Sequence, residues 1–136
     1  MKLARLIIVA ALLGAGTASL AQDYPTRPIR LIVGFAPGGS TDLVARVLAQ
    51  KMTETWGQQV VVDNRPGANG MIGADIVAKA SPDGYSLVLS AIGPMAINAS
   101  LYKMPYDIVA EFAPVTYTGN VTNLLVVNPG LGVNNV

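Results

Sequence analysis

IRLIVGFAPGGSTDLVARVLAQKM, residues Ile29–Met52, is the stretch that decides the fold. Ile29–Ala36 is almost wholly apolar and β-rich, with Arg30 its only charge. Such a run suits a strand buried on both faces of a parallel sheet, since a half-exposed strand would alternate polar and apolar residues. Pro37-Gly38-Gly39 stops the run. From Thr41 to Trp56, Val44, Val47, Leu48 and Met52 recur at helical spacing, and Gly57 is placed to end the helix. The unit is strand, glycine junction, helix.

The same order recurs downstream. Gln59–Asp63 reads as a second strand, Pro66-Gly67-Ala68-Asn69-Gly70 as a second junction, and Asn69–Ala80 as a helix with Ile72, Ile76 and Val77 on one face. Ser81-Pro82-Asp83-Gly84 ends it. Tyr85–Ala91 is a third strand and Pro94–Tyr102 a third helix. Ala113–Tyr117 and Asn123–Val127 read as two short strands around the turn Thr118-Gly119-Asn120. The similarity between the units is topological, not a sequence repeat. Alternating strands and helices predict an α/β fold, a parallel βαβαβ sheet with right-handed crossovers. Ligands of such sheets lie outside the carboxyl ends of the strands, and both glycine junctions fall there.

A helix N-terminus carries unpaired N–H groups and a partial positive charge. Glycines ahead of it let an anion approach the backbone, and short polar side chains add donors. Gly38, Gly39, Ser40 and Thr41 meet that description at the first junction, and Asn69 and Gly70 at the second. Two such junctions at one edge could grip one carboxylate-bearing ligand. For either junction alone the alternative is an ordinary turn, with Ser40 or Thr41 capping one helix and Asn69 the other. Asp42 also has two readings: it complements the helix dipole or pairs with a ligand ammonium. Arg65 either meets a carboxylate or is a solvated loop residue. Trp56 and Tyr85 read as core or rim rather than ligand-stacking groups.

The N-terminal residues are set apart. Lys2 and Arg5 precede the aliphatic run Leu6–Leu13, and Ser19-Leu20-Ala21 offers small residues to a signal peptidase. Residues 1–21 therefore read as a signal peptide, cleaved between Ala21 and Gln22 for export to the periplasm. The apolar run is too short to span a bilayer, and Gly14 and Gly16 interrupt the residues after it. Without Lys2 and Arg5, seven of the nine basic residues remain against eight acidic ones. No basic patch points to nucleic acid or a membrane surface.

Catalysis has little to build on. The sequence has no cysteine and no histidine, so thiolate chemistry, disulfides and imidazole catalysis are excluded. The carboxylates form no pair or metal-ligand spacing. Gly67, Gly70 and Gly73 give G-x-x-G-x-x-G where a dinucleotide site needs G-x-G-x-x-G, and no phosphate-loop lysine comes after Gly38-Gly39. No cofactor is expected.

Several linked motifs carry a resemblance over almost all of the chain after residue 21: YPTRPIRLIVGFAPGGSTD (Tyr24–Asp42), VVVDNRPGANGMIGA (Val60–Ala74), SPDGYSLVLSAIGPMAINASLY (Ser81–Tyr102), YDIVAEFAPVTYTG (Tyr106–Gly119) and LLVVNP (Leu124–Pro129). They resemble the Bug family, the periplasmic solute-binding receptors of tripartite tricarboxylate transporters. The resemblance implies a periplasmic-binding-protein fold of type II, with two domains closing on a small carboxylate. It also implies an intact monomer that hands its ligand to a membrane permease of one large and one small subunit. It places the loops Pro37–Asp42 (with Gly38, Gly39, Ser40, Thr41 and Asp42) and Pro66–Gly70 (with Asn69 and Gly70) against the ligand carboxylate, and the loop Ala91–Pro94, with Ala91 and Gly93, along the cleft. Asn98-Ala99 for a frequent Asn-Pro and Ala110-Glu111 for a frequent Lys-Asp are read as peripheral departures. Family members run to roughly twice this length or more, consistent with two domains. Residues 22–105 are thus expected to be the N-terminal part of the first domain (βαβαβα), and residues 106–136 the crossover towards a second, with the chain an N-terminal fragment. Alternatives are an exported α/β enzyme of the hydrolase or nucleotide-using kind, or a non-functional truncated product. A G-x-S-x-G elbow or a histidine would support the enzyme, and the sequence has neither.

Overall fold

The computed structural model describes residues 23–120 and 126–131. The expected signal peptide and most of the expected strand Asn123–Val127 lie outside them. The elements are β1 (Ile29–Val33), α1 (Ser40–Trp56), β2 (Val60–Asn64), a 3-10 turn (Ala68–Gly70), α2 (Met71–Ala78), β3 (Ser86–Leu89), a π-helical turn (Gly93–Ile97) and α3 (Asn98–Leu101), with a second 3-10 turn at Pro129–Leu131. The sheet has three parallel strands in the order β2-β1-β3, Leu31 standing opposite Val62 on one side and Leu87 on the other. The crossovers β1→β2 and β2→β3 run in opposite directions, so right-handed connections put α1 and α2 on opposite faces.

The central strand explains why the first apolar run does not alternate. Ile29, Leu31 and Val33 pack with Ala45 and Ala49 of α1 and Val60 of β2, while Ile32 points the other way and is just as fully buried. α2 packs against β1 and β3.

The inward face of α1 differs from the expected one. Asp42, Ala45 and Ala49 are its buried residues, Leu48 and Met52 are half-buried, and Val44 and Val47 are exposed. Alanines let the helix axis come close to β1, and that approach rotates the larger valines outward. α2 does the same with Gly73 and Ala74, leaving Ile72 exposed and Ile76 and Val77 half-buried. Gly57 ends α1 in the left-handed conformation (φ 66°), its N–H donating to the Thr53 carbonyl at 3.0 Å. The Thr53 hydroxyl donates to the Ala49 carbonyl (2.7 Å) and accepts from the Val60 N–H (3.0 Å), fastening the end of α1 to the start of β2.

Three further expectations are corrected. β1 stops at Val33, short of Ala36, because Gly34 leaves the ladder to lie against Gly70. Ala113–Tyr117 forms no strand: its residues are exposed, and among the described residues none offers it a ladder. The third helix is split into the π-helical turn and the short α3.

At the amino end of the sheet, Tyr24 meets the rings of Trp56 and Tyr85 edge-on, at centroid distances of 6.2 and 5.1 Å. Its hydroxyl donates to the Gly84 carbonyl (2.7 Å). Arg27 lies 4.2 Å over the Tyr85 ring and pairs with Asp83. Trp56 and Tyr85 are rim residues at the pole opposite the glycine junctions, as expected.

Gly34 sets a test of this packing. A Cβ there would lie 2.7 Å from the Gly70 oxygen and 2.8 Å from its Cα, both backbone atoms unable to move aside. Gly34→Ala should lower stability by about 1–3 kcal/mol, read as a lower urea midpoint at unchanged slope. Gly39→Ala, where a Cβ would meet only the Ala36 oxygen at 3.8 Å, should stay near wild type; equal losses in both variants would refute the contact.

Candidate functional site

Three loops meet at the carboxyl edge of the sheet, one after each of β1, β2 and β3. With the strand order β2-β1-β3, the connections that leave β1 and β2 run in opposite directions across the sheet. In open parallel sheets of this kind the ligand crevice lies outside this edge.

At the first junction, Gly38 has φ 88°, a conformation that favours glycine. Gly39 is the N-cap residue of α1, and no side chain caps the helix. Ser40 and Thr41 are therefore its first helical residues and not its caps. The first helical bond runs from the Leu43 N–H to the Gly39 carbonyl (3.0 Å), leaving the N–H groups before it outside the helical ladder. Gly38, Gly39 and Ser40 are exposed and Thr41 half-buried.

Asp42 lies beneath this junction instead of on its open side. It is 1% exposed and accepts from the Gly38 N–H (2.9 Å), Arg46 Nε (2.9 Å), Arg46 Nη2 (3.1 Å) and Asn64 Nδ2 (2.9 Å). Asn64 Nδ2 also donates to the Phe35 carbonyl (3.1 Å), so the network ties the first junction to the ends of β1 and β2. The Arg46 guanidinium first, then the Gly38 N–H and the Asn64 amide, hold the Asp42 carboxyl well below the usual carboxylate range. Both oxygens are engaged inside the protein, so the carboxylate fixes the loop.

The second junction is a run of positive φ: Gly67 (131°), Ala68 (47°), Asn69 (52°) and Gly70 (86°). Asparagine tolerates this region, but alanine there costs on the order of 1–2 kcal/mol. Strain of this kind persists only where surrounding contacts hold it, and it concentrates at functional sites. Gly70 is held on two sides: a Cβ would lie 2.6 Å from Pro94 Cγ and 3.2 Å from the Phe35 ring. Gly73, one turn into α2, would bring a Cβ to 2.8 Å from Gly34 Cα. Asn69 does not cap α2, whose N-cap is Gly70. Its Nδ2 donates instead to Oδ1 of Asn98, 3.0 Å away.

In the third loop Ala91 and Gly93 are half-buried. A Cβ on Gly93 would stand 3.1 Å from Asn69 Nδ2, and Pro94, buried against Gly70, accepts a hydrogen bond from the Tyr106 hydroxyl (3.0 Å). The second and third loops are thus in direct contact, and Phe35 stands between them and the Asn64 network of the first.

Sequence reasoning missed Phe35, Asn64, Arg46 and Asn98. Only the Arg46 contact had a local sign, its spacing of four from Asp42 on α1. Asn98 is in fact fully buried, and with Asp42 it makes up the buried polar side chains among the described residues. One lies under each glycine junction. Arg65 pairs with Asp63 (2.9 Å) while remaining half-exposed. Both guanidiniums at this edge, Arg46 and Arg65, are thus engaged by carboxylates, and the open faces of the loops offer backbone N–H groups and hydroxyls.

Comparison with known proteins gives a consistent picture. A family model described as tripartite tricarboxylate transporter family receptor (TctC) matches residues 44–136. Protein BugT of Bordetella pertussis is 50% identical over 113 residues, covering 82% of this chain and 35% of that protein. The chain spans about a third of the length of such curated relatives. Among solved structures, a periplasmic transporter is 48% identical with a TM-score of 0.66, over 68% of this chain and 32% of that one. MatC from Rhodopseudomonas palustris, with bound malate, is 38% identical with a TM-score of 0.65, again over 68% and 32%.

The Asp42 network makes stability depend on pH in a definite direction. A carboxyl held below its unfolded-state value, about 3.9 for aspartate, stabilises the fold above that value. The contribution is lost as pH falls through the lower folded-state value. The difference in urea midpoint between wild type and Asp42→Asn should be constant from pH 7 to about 5 and shrink below about 4. Comparing the two proteins cancels Asp63 and Asp107, whose carboxyls are also held low. A difference that stays constant down to pH 2 would mean the Asp42 carboxylate contributes nothing as a charge.

Proposed function

The chain belongs to the tripartite tricarboxylate transporter receptor family, and on that premise we propose that it forms one wall of a periplasmic binding site for a small carboxylate, delivered to the membrane permease subunits of such a transporter. The observation that carries this reading is the second junction. Four consecutive positive-φ residues are held in place by Phe35, Pro94 and Asn98, beside a first junction pinned from below by Asp42. No side chain of this run caps α2; its conformation shapes the edge beside the first junction.

The ligand carboxylate meets neutral donors. At the first junction these are the N–H groups of Gly39, Ser40 and Thr41 with the two hydroxyls; Gly38 makes the turn that exposes them. At the second it is the N–H group of Asn69; the N–H of Gly70 donates to the Gly67 carbonyl (2.9 Å) and closes the turn that presents it. Ala91 and Gly93, small residues of the third loop, leave room on the remaining side. Each donor bonded to an ionised group contributes about 1.5–3 kcal/mol when water is kept out, and the helix dipole adds about 0.3–1 kcal/mol when exposed. A second domain closing over the edge would raise affinity by excluding water, as in hinge-closing binding proteins. Asp42 takes the role of holding the first loop and not of meeting the ligand. The malate bound to MatC makes a dicarboxylate the first ligand class to test. The protein is a receptor in this reading and not an enzyme, monomeric when intact, with no nucleic-acid partner.

Titrating malate into isotope-labelled protein should shift the amide resonances of Gly39–Thr41, Asn69, Gly70 and Gly93 together. The dissociation constant should be on the order of millimolar, equivalent to roughly 4 kcal/mol. Gly39→Val adds a side chain where the protein leaves space, so the fold should survive while affinity drops at least about fivefold, near 1 kcal/mol. Saturating malate without shifts at these loops, or unaltered binding by the valine variant, would reject the reading.

Export rests on the same premise. Mass spectrometry of periplasmic material should find a mature N-terminus at Gln22; protein that retains Met1 in the membrane fraction would contradict it.

A further inference from the structure

We propose that Asn98 is a positioning residue for this site, acting through Asn69. It holds the second junction at its strained geometry and so sets the distance between the second and third loops. This rests on the carboxylate-receptor reading for its functional consequence, but not for its structural one.

Asn98 is 0% exposed. A buried amide is unfavourable unless its hydrogen bonds are made, so its presence calls for a partner. The partner is not local. Asn98 begins α3, yet the N-cap of that helix is Ile97 and no side chain caps it. The side chain instead reaches across 29 positions of sequence: Asn69 Nδ2 donates to Asn98 Oδ1 at 3.0 Å, and Asn98 Nδ2 faces the Asn69 carbonyl oxygen at 3.5 Å. The Asn69 carbonyl needs a donor opposite it, which fixes the orientation of the Asn98 amide and, through it, that of Asn69. Asparagine offers both an acceptor and a donor at that reach without a charge.

The surroundings are cut to this pair. Gly93 has no Cβ, and one placed there would come within 3.1 Å of Asn69 Nδ2. Asn69 and its neighbour Ala68 both have positive φ, which their own sequence does not stabilise, and Asn69 itself is exposed. Phe35 and Pro94 hold the Gly70 end of this loop by packing, and the buried Asn98 holds Asn69 by hydrogen bonds. With Asn98 gone, Ala68 and Asn69 are free to relax, and the N–H groups they aim at the crevice turn with them.

Amide exchange without ligand and malate binding read the two halves separately. Asn98→Leu keeps the branched shape of the side chain, adds some volume and removes both polar groups. It should lower protection of the Gly70 N–H, which donates to the Gly67 carbonyl at 2.9 Å, and weaken malate binding by roughly three- to tenfold, the range of one neutral hydrogen bond. Asn69→Gly accepts the positive φ without strain but takes the donor away from Asn98 Oδ1, and it should give the same loss of affinity. Combining the two should cost no more than either alone. In Asn98→Asp a protonated carboxyl reproduces the donor and acceptor of the amide. Its protection at Gly70 should be near wild type at pH 5 and lower at pH 8, while the wild-type value stays constant. Additive effects of the Leu and Gly changes, or wild-type protection and affinity in Asn98→Leu, would overturn the proposal. If malate shifts no loop in the wild type, the receptor reading fails, and the exchange comparison alone decides whether Asn98 positions the junction.

Discussion

The contact on which the structure depends is backbone on backbone. Gly34, at the end of the central strand, lies against Gly70 and Gly73 so closely that a single methyl group on either Gly34 or Gly73 would collide with main-chain atoms. Without side chains, the loop after β2 folds down onto the end of β1 and does not arch over it. That lowers the second junction to the level of the first, and brings it within reach of Phe35 and Pro94. An ordinary strand-to-helix turn needs none of this.

Beneath that edge the fold places its buried polar side chains, Asp42 and Asn98, one below each junction. Both are fully bonded inside the protein, and both act across sequence distance, Asp42 through Asn64 on β2 and Asn98 through Asn69. Polar groups of this kind add little net stability over an apolar core, because their desolvation offsets much of what their bonds return. Their contribution is direction. A carboxylate or amide with several fixed partners allows one loop geometry, where packed aliphatic groups would allow a family of them.

Much of the fold was legible because its cause is local or periodic. The three parallel strands, the long first helix and the glycine stop at Gly57 come from apolar runs and punctuation, and the chemistry of the two junctions was visible in Pro37–Thr41 and Pro66–Gly70. The features that could not be read depend on tertiary approach. Val44, Val47, Leu48 and Met52 stand at helical spacing, yet only Leu48 and Met52 of these are half-buried, and the helix comes close to the sheet through Ala45 and Ala49 because they are small. Ala113–Tyr117 has strand-forming composition, but a strand exists only with a partner. Ser40, Thr41 and Asn69 were given capping as their alternative role, and none of them caps. Asn98 could not be recognised at all, since its meaning lies in a residue 29 positions away.

The aromatic clasp of Tyr24, Trp56 and Tyr85 has a bearing on how the molecule can be handled. It fastens the beginning of the described chain to the amino pole of the sheet, while the three loops occupy the carboxyl pole. An affinity tag, dye or surface tether attached ahead of Tyr24 therefore departs from the face remote from the crevice. Protein immobilised through that end presents its loops outward to the solution.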